Sequence, residues 1–230
     1  MKMSTPHIRP VRPEEDKSAL DKIYRATCNS SLQHEPAWTY SSFLFCHPYR
    51  ILSPETCFVL DAGDGTAVGY VIGTPNTRGF AARWPQEYLP QLNHSVLPPP
   101  DRHDAEEHAP PTWDSDLPAH LLELLYSKHV QLLNGDYPDM LDQYPAHLHI
   151  DILPEYQRQG WGRKMIDTFC DAIKKHGTSA LHLGTEVSNV DSRKFYERLG
   201  FVRFQRVLSD GVDGRYGETP TVIYMVKDLE

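Results

Sequence analysis

The clearest pattern of hydrophobic and polar positions lies in the second half of the chain, between residues 147 and 175. Residues 147–153 alternate in type at a period of two, which predicts a strand. Pro154 ends this strand because proline has no N–H to donate to a sheet. Beyond residue 160 the apolar positions recur every three or four residues and predict a helix; they are Trp161, Met165, Ile166, Phe169, Ala172 and Ile173.

The predicted strand and helix are joined by a segment that contains Gly160 and Gly162. Backbone N–H groups converge where a helix begins, and the helix dipole places positive charge there, so the segment could hold a phosphate. Glycine also leaves room for a phosphate to approach the main chain. By itself, however, the pattern fits a tight strand-to-helix connection better than a ligand site. It matches neither the dinucleotide fingerprint nor the P-loop.

The rest of the chain consists of short strand patterns and amphipathic helix patterns. Apolar runs predict further strands at residues 5–11, 56–60, 67–73, 180–187, 201–208 and 221–227. Helical spacing predicts further helices from residue 13 onward, with acids in the first turn, and at residues 36–46, 117–133 and 191–199. The strands at 56–60 and 67–73 are expected to form a hairpin, and the last two strands a second, closing hairpin.

Residues 79–145 separate the first hairpin from the strand at 147–153. Within them, residues 98–118 are rich in proline, acids and histidine, which predicts an irregular loop. The segment either covers a sheet edge or forms a lid over a bound acceptor, because long loops in compact domains are often functional. On the second interpretation, Trp84 and Tyr88 are candidate substrate-binding residues.

Composition narrows the class of protein. The chain has 230 residues, of which 40% are hydrophobic and 23% charged, as in an ordinary globular protein. A net charge of −8 disfavours binding to nucleic acid or to an anionic membrane. No apolar run is long enough to span a membrane and no signal peptide is recognised, so we expect a cytoplasmic protein, with the nucleus left open. The four scattered cysteines are expected to be buried thiols.

Two motifs in sequence order resemble the GNAT acetyltransferase superfamily. The spacing of Pro154, Gln157, Gly160 and Gly162 resembles its acetyl-CoA signature, Gln/Arg-x-x-Gly-x-Gly/Ala after a strand that ends in proline. Residues 189–201 read NVDSRKFYERLGF and resemble the second CoA segment of the same superfamily. Together the two motifs are far more specific than either one alone.

The resemblance implies an α/β fold of the GNAT type. Its sheet would be mixed and twisted, with about seven strands, splayed between strands 4 and 5 and flanked by helices. Residues 1–230 would then form a single acetyltransferase domain. The insertion at about 79–145 would shape the acceptor site.

The resemblance also implies that acetyl-CoA is the co-substrate and that no metal takes part. The backbone of Ile152 would pair with the pantetheine arm, and Asn189 and Ser192 would hold the same arm. The diphosphate would rest on the signature segment. The residues expected to contact it are Gln157, Arg158, Gln159, Gly160, Trp161 and Gly162.

Three polar residues, His147, His149 and Asp151, share one face of the predicted strand because they are two positions apart. Acetyl transfer to an amine needs a base, and we expect Asp151 to serve as base and to contact the acceptor, with His149 as relay or second candidate. Tyr196 matches the superfamily's tyrosine that faces the CoA sulfur and is the candidate acid. A His-x-His-x-Asp run also suggests a metal, but no further ligand cluster accompanies it.

The net negative charge of the chain fits a cationic amine as the acceptor. The run PAHLHIDILPEYQRQGWG further resembles bacterial and fungal acetyltransferase-like proteins related to the C-terminal domain of O-GlcNAcase, which suggests an amino sugar such as glucosamine. A protein or histone lysine acetyltransferase and a non-catalytic CoA- or sugar-binding sensor remain as alternatives. The closing hairpin and the insertion are each candidates for a homodimer contact.

Overall fold

The computed structural model describes residues 5–100, 112, 115–134, 137–205, 207–208, 211–212 and 222–229. Most of the predicted irregular loop at 98–118 therefore lies outside the described residues. Within the described part of the chain, no helix is long and apolar enough to cross a membrane.

The strands form one large sheet and one small ribbon. Their bounds are β1 His7–Pro10, β2 Phe58–Asp61, β3 Ala67–Thr74, β4 Ala146–Ile152, β5 Ala180–Glu186, β6 Val202–Arg203, β7 Val207–Leu208, β8 Gly211–Val212 and β9 Val222–Asp228. The large sheet has seven strands in the order β1-β2-β3-β4-β5-β9-β6. Strands β4 and β5 run parallel, whereas the other neighbours in this sheet are antiparallel. The predicted mixed sheet of about seven strands is confirmed.

Helices cover both faces of the sheet. Their bounds are α1 Lys17–Thr27, α2 Ala37–Phe45, α3 His47–Leu52, α4 Thr77–Arg83, α5 Leu117–Tyr126, α6 His129–Leu132, α7 Pro138–Gln143, α8 Trp161–Lys175 and α9 Val190–Arg198. A π-helical turn, Trp84–Tyr88, extends α4. Helices α1 to α5 pack on one side of the sheet and α8 packs on the other.

Helix α8 is the central element of its side of the sheet. Its apolar stripe buries Met165, Ile166, Phe169 and Ile173 completely, against Leu148 of β4 and other strand residues. Each side chain of this size contributes about 2 kcal/mol when it is removed from water. Truncating Phe169 to alanine would therefore cost about 3–5 kcal/mol, since a cavity would remain. The helix predicted from the spacing of these residues is confirmed.

Three helix boundaries differ from the prediction. Helix α1 begins at Lys17, so the acids expected in its first turn precede it, and Asp16 instead binds Arg9 at 2.6 Å. The predicted stop before Pro48 is confirmed, but a new helix, α3, begins there because proline is tolerated in a first helical turn. The single helix predicted at 117–133 divides into α5 and α6.

The insertion packs on both sides of β4. Helix α5 lies against α2 and adds Leu121 and Leu125 to the core. The segment after α6 continues along the same face of the sheet as far as β9, where Tyr137 contacts Tyr224 at a ring-centroid distance of 5.0 Å. The insertion therefore belongs to the packed structure and covers strands on either side of the central one.

Candidate active site

A gap opens between the parallel strands β4 and β5. They pair only at Ala146 with Leu181 and at His147 with His182. Beyond these positions β4 continues to pair with β3 and β5 continues to pair with β9, so the two strands separate. The splay that the resemblance predicts between strands 4 and 5 is confirmed.

Strand β4 turns unused backbone groups toward the gap. The N–H of Leu153 donates to the carbonyl of Val68 in β3 at 2.9 Å. Because backbone direction alternates along an antiparallel pair, Ile150 and Ile152 point their N–H and C=O groups away from β3 and into the gap. The carbonyl of Ile152 accepts a hydrogen bond from Nε2 of Gln157 at 2.7 Å. Among the described residues, the N–H of Ile152 has no hydrogen-bond partner.

The segment before α8 forms a cradle of amides. Arg158 has φ of 59° and Gly160 has φ of 82°, which turns successive N–H groups toward one side. Among the described residues, the amides from Arg158 to Arg163 find no hydrogen-bond acceptor. These donors lie at the positive end of the α8 dipole and fit the diphosphate of acetyl-CoA. The side chains of Gln157 and Gln159 stabilise the conformation of this segment, because both donate hydrogen bonds to backbone carbonyls.

Gly162 has a packing role that the sequence did not indicate. A Cβ at this position would lie 2.9 Å from Cζ of Phe195 on α9. The missing side chain therefore lets α9 approach α8 closely, in addition to the room for a phosphate that the sequence predicts. Trp161 lies beside it with Lys164 over its ring at 4.3 Å.

Helix α9 closes the groove on the side of β5. Asn189 caps it, since its Oδ1 accepts from the N–H of Ser192 at 3.0 Å, and this leaves the Nδ2 of Asn189 for a ligand. One turn further, Tyr196 packs its ring against Phe201 at 5.6 Å. Burial, together with the negative charge of Asp151, raises the pKa of the Tyr196 hydroxyl. The hydroxyl therefore stays protonated at neutral pH, as an acid must.

Asp151 lies in the same groove, opposite Tyr70 of β3. The Tyr70 hydroxyl donates to Oδ2 of Asp151 at 2.5 Å. Burial raises the pKa of Asp151 to about 6, although the hydrogen bond from Tyr70 opposes the rise. A carboxylate with this pKa is mostly ionised at neutral pH and is a far better base than an exposed aspartate. Tyr70 was not recognised from the sequence, because its partner is 81 residues away.

The histidines of β4 lie deeper on the same face. Burial, together with repulsion from His182, lowers the pKa of His149 to about 4. The pKa of His147 is also lowered well below its ordinary value, because this ring is buried and lies beside both other rings. A base is most effective with a pKa near the working pH, so this comparison favours Asp151 over His149.

One groove of about 960 Å³ brings most of the candidate residues together. Asp151, Ile152, Asn189, Ser192 and Tyr196 all line it. Four cationic side chains also line the groove: Arg158, Arg163, Lys194 and Arg198. Of these, only Arg158 was predicted from the sequence. Their positive charge supports the fit of a polyanionic ligand. The missed cations lie in α8 and α9, where charged residues ordinarily read as solvent-facing.

Trp84 and Tyr88 lie elsewhere. Both side chains are 0% exposed. Nε1 of Trp84 donates to the carbonyl of Leu125 at 3.0 Å, and the hydroxyl of Tyr88 donates to the carbonyl of Phe43 at 2.7 Å. These are the contacts of core residues, so the expectation that the pair touches a substrate is corrected. In the part of the chain that the structure describes, His, Cys, Asp and Glu side chains do not gather into a group that could hold a metal.

Comparisons with known proteins agree with this geometry. The model of the acetyltransferase (GNAT) family matches residues 133–201. The crystal structure of SsHAT superposes with a TM-score of 0.75 at 32% identity, covering 98% of both chains. N-alpha-acetyltransferase 30 of Schizosaccharomyces pombe is 41% identical over 56 residues, and the [ribosomal protein bS18]-alanine N-acetyltransferase of Escherichia coli strain K12 is 40% identical over 53 residues.

These two curated relatives are matched over a limited part of their length. The alignments cover 24% and 23% of this chain, and 37% and 36% of the two relatives. The family model begins at residue 133 and so leaves out helices α1 to α6. The similarity to them therefore concerns a segment of the chain, and it does not identify the acceptor.

Proposed function

Because this chain belongs to the acetyltransferase (GNAT) family, we propose that it is an N-acetyltransferase that moves an acetyl group from acetyl-CoA to a primary amine by direct attack in a ternary complex. The observation that supports this most strongly is that one groove holds both a candidate base, Asp151, and a candidate acid, Tyr196. The amide cradle at the start of α8 opens into the same groove. One groove therefore brings together the groups that the proposed reaction would need.

The cradle has the task of binding and orienting acetyl-CoA, which supplies the acetyl group as an activated thioester. The free amides between Arg158 and Arg163 would hold the diphosphate, and the N–H of Ile152 would bind the pantetheine arm. These contacts lie on rigid elements, β4 and α8. The thioester would then be held beside the two titratable side chains rather than left free to rotate.

The two side chains would move the protons of the reaction. Asp151 would take a proton from the ammonium group of the acceptor, directly or through one water, so that the amine nitrogen can form the new C–N bond. As the C–S bond breaks, Tyr196 would donate its hydroxyl proton to the departing sulfur, and the second proton that the nitrogen loses on becoming an amide would restore the hydroxyl. His149, with its lower pKa, would act beside Asp151 rather than replace it.

We propose a small acceptor, with an amino sugar such as glucosamine as the first candidate. Asn29, just after α1, donates from Nδ2 to Oε1 of Glu186 at 2.5 Å, and this contact joins the α1 side of β4 to the end of β5 across the gap. The insertion packs against β5 as well, where Nδ2 of Asn134 lies 3.2 Å from Nε2 of His182. Both contacts narrow the acceptor side, which supports a small amine over a polypeptide lysine.

The test is release of free thiol from acetyl-CoA with a panel of amines: amino sugars, polyamines and lysine-containing histone peptides. We expect the wild type to turn over an amino sugar. In Asp151→Asn we expect kcat to fall by about 10²- to 10⁴-fold while acetyl-CoA binding is retained. Turnover of the peptides alone would favour the protein acetyltransferase. Binding of acetyl-CoA by calorimetry with no turnover of any amine would favour the sensor, and absence of binding would overturn the proposal.

A further inference from the structure

A buried chain of hydrogen bonds runs from the carbonyl of Pro145 to His149. The Thr77 hydroxyl lies 2.7 Å from the Pro145 carbonyl and 2.7 Å from Nδ1 of His147. Nε2 of His147 lies 2.8 Å from the Tyr49 hydroxyl, which lies 3.0 Å from Nε2 of His149. Two hydroxyls and two imidazoles thus alternate along one path.

The direction of every proton in this chain follows from its first member. A carbonyl only accepts, so the single hydroxyl proton of Thr77 goes to Pro145. His147 must then donate from Nδ1 to Thr77. Because burial lowers its pKa, His147 is neutral, and its Nε2 is an acceptor. The Tyr49 hydroxyl therefore donates to His147, and its oxygen can only accept from Nε2–H of His149.

The far end of the chain is left with a lone pair. In a neutral His149 that carries its proton on Nε2, the Nδ1 atom is a hydrogen-bond acceptor. Among the residues that the structure describes, this atom has no partner, and it is not one of the fully buried polar atoms. His149 lies two positions from Asp151 on the same face of β4, past the last point of pairing with β5. Its free nitrogen therefore lies on the strand face that carries the candidate base.

We propose that Tyr49 is a positioning residue that fixes His149 in the Nε2–H tautomer, so that Nδ1 accepts a hydrogen bond from the acceptor's ammonium group. The part of this proposal that concerns the acceptor rests on the proposed acetyl transfer. The reversed chain would make Nδ1 a donor and would repel an ammonium group. With Nδ1 as an acceptor on the strand face that carries Asp151, a cationic N–H donor bound against this face would have both groups as partners.

The tautomers can be read directly, without any activity, by ¹⁵N–¹H correlation spectra of histidine-labelled protein at neutral pH. We expect His149 to be protonated on Nε2 and His147 on Nδ1. His182 provides an internal reference, because its Nδ1 lies 2.7 Å from the carbonyl of Tyr144 and must carry the proton. A wild-type His149 protonated on Nδ1 would overturn the proposal, whatever reaction the protein catalyses.

Tyr49→Phe removes the hydroxyl that sets the tautomer. We expect His149 to become a mixture of tautomers while His182 stays unchanged. The matched control is Tyr88→Phe, which removes another buried hydroxyl that donates to the carbonyl of Phe43 and takes no part in the chain. If Tyr49→Phe left His149 entirely in the Nε2–H form, Tyr49 would have no positioning role.

The kinetic readout separates this role from general stability. With an amine that is turned over, we expect Tyr49→Phe to raise the KM for the amine by about three- to tenfold, the size of one lost hydrogen bond, with a smaller change in kcat. The KM for acetyl-CoA should stay the same, because the amide cradle follows the end of β4 and Tyr49 has no hydrogen bond to it. An unchanged KM for the amine would contradict the acceptor role of His149. It would not affect the tautomer assignment, which the NMR spectra test independently.

Discussion

The hydroxyl of Tyr70 and the carboxylate of Asp151 are directly opposed across two neighbouring strands, joined by a 2.5 Å hydrogen bond. The bond stabilises the charged form of the carboxylate and so limits the rise in pKa that burial causes. The ionised form of this candidate base is therefore favoured by a hydroxyl on the neighbouring strand.

Tyr70→Phe should raise the pKa of Asp151 above about 6, because the variant loses a donor that favours the carboxylate. The acidic limb of the pH profile of kcat, measured at saturating amine, should move upward by about one pH unit, the equivalent of one hydrogen bond to a charged group. Tyr126→Phe is the control, since its hydroxyl binds the carbonyl of Leu97. An acidic limb that stays in place would mean that Asp151 is not the group that limits the rate.

Asp151 should also make the protein less stable above about pH 6. An aspartate in an unfolded chain titrates near about pH 3.9, whereas the folded-state pKa is about 6, so the folded state binds the proton more tightly. Stability then falls as the pH rises between these two values, because ionising the buried carboxylate costs more in the folded protein. Asp151→Asn removes this cost and keeps an oxygen for Tyr70 to donate to.

We therefore expect Asp151→Asn to have a higher melting temperature than the wild type at pH 7.5, and the difference to vanish below about pH 4. Thermal unfolding followed by circular dichroism across this pH range is the measurement. Glu155→Gln, an exposed carboxylate on the segment after β4, is the control and should show no such trend. A variant that is less stable than the wild type at pH 7.5 would show that the carboxylate is not held under strain.

The sequence predicted this part of the molecule well where the information was local. The period-two pattern, the proline and the helical spacing define β4, the turn and α8, and parity along β4 places Asp151 and His149 on one face. Tyr70 and Tyr49 were missed because sheet register and packing bring them to β4 from 81 and 100 residues away. Hydrophobic pattern carries no information about that register beyond which face a side chain takes.

The aromatic residues of the insertion show the opposite error. Trp84 and Tyr88 lie in the insertion, and if the insertion forms a lid over a bound acceptor they are expected to touch it. In the structure their polar atoms bind backbone carbonyls and their rings fill the core. A tryptophan or tyrosine has an apolar body and one polar atom, so the same residue suits a core or a binding surface. Only the contacts decide between them.

The close contact between Gly162 and Phe195 predicts a coupled pair of substitutions. Gly162→Ala should force Phe195 away, since its Cβ would lie 2.9 Å from Cζ of that ring, although alanine favours a helix more than glycine does. We expect a lower melting temperature and a higher KM for acetyl-CoA, because α9 carries Asn189 and Tyr196. Phe195→Leu in the same chain should restore part of both losses.

A double-mutant cycle measures this coupling. The two single variants and the double variant should differ from additivity by about 1 kcal/mol in the free energy of unfolding, as residues in contact do. The same set of variants gives the KM for acetyl-CoA. Strictly additive effects would mean that Gly162 is needed for the conformation of the turn or for the ligand, and not for the approach of α9.

If the contact between Asn29 and Glu186 restricts the size of the acceptor, breaking it should admit larger amines. Oδ1 of Asn29 accepts from the N–H of Ser31, while its Nδ2 donates to Glu186 across the gap. Asn29→Asp keeps the acceptor oxygen for Ser31 and places a second negative charge opposite Glu186. The segment after α1 should then move away from β5 and widen the acceptor side. We expect the ratio of kcat/KM for a lysine peptide to that for an amino sugar to rise about three- to tenfold, and salt to reduce the effect by screening the repulsion.

Adding Glu186→Gln supplies a new donor to the aspartate and should restore the original ratio, whereas Ser31→Ala, which leaves the contact with Glu186 in place, should not change it. A ratio that stays constant in folded Asn29→Asp would show that this contact does not restrict the acceptor.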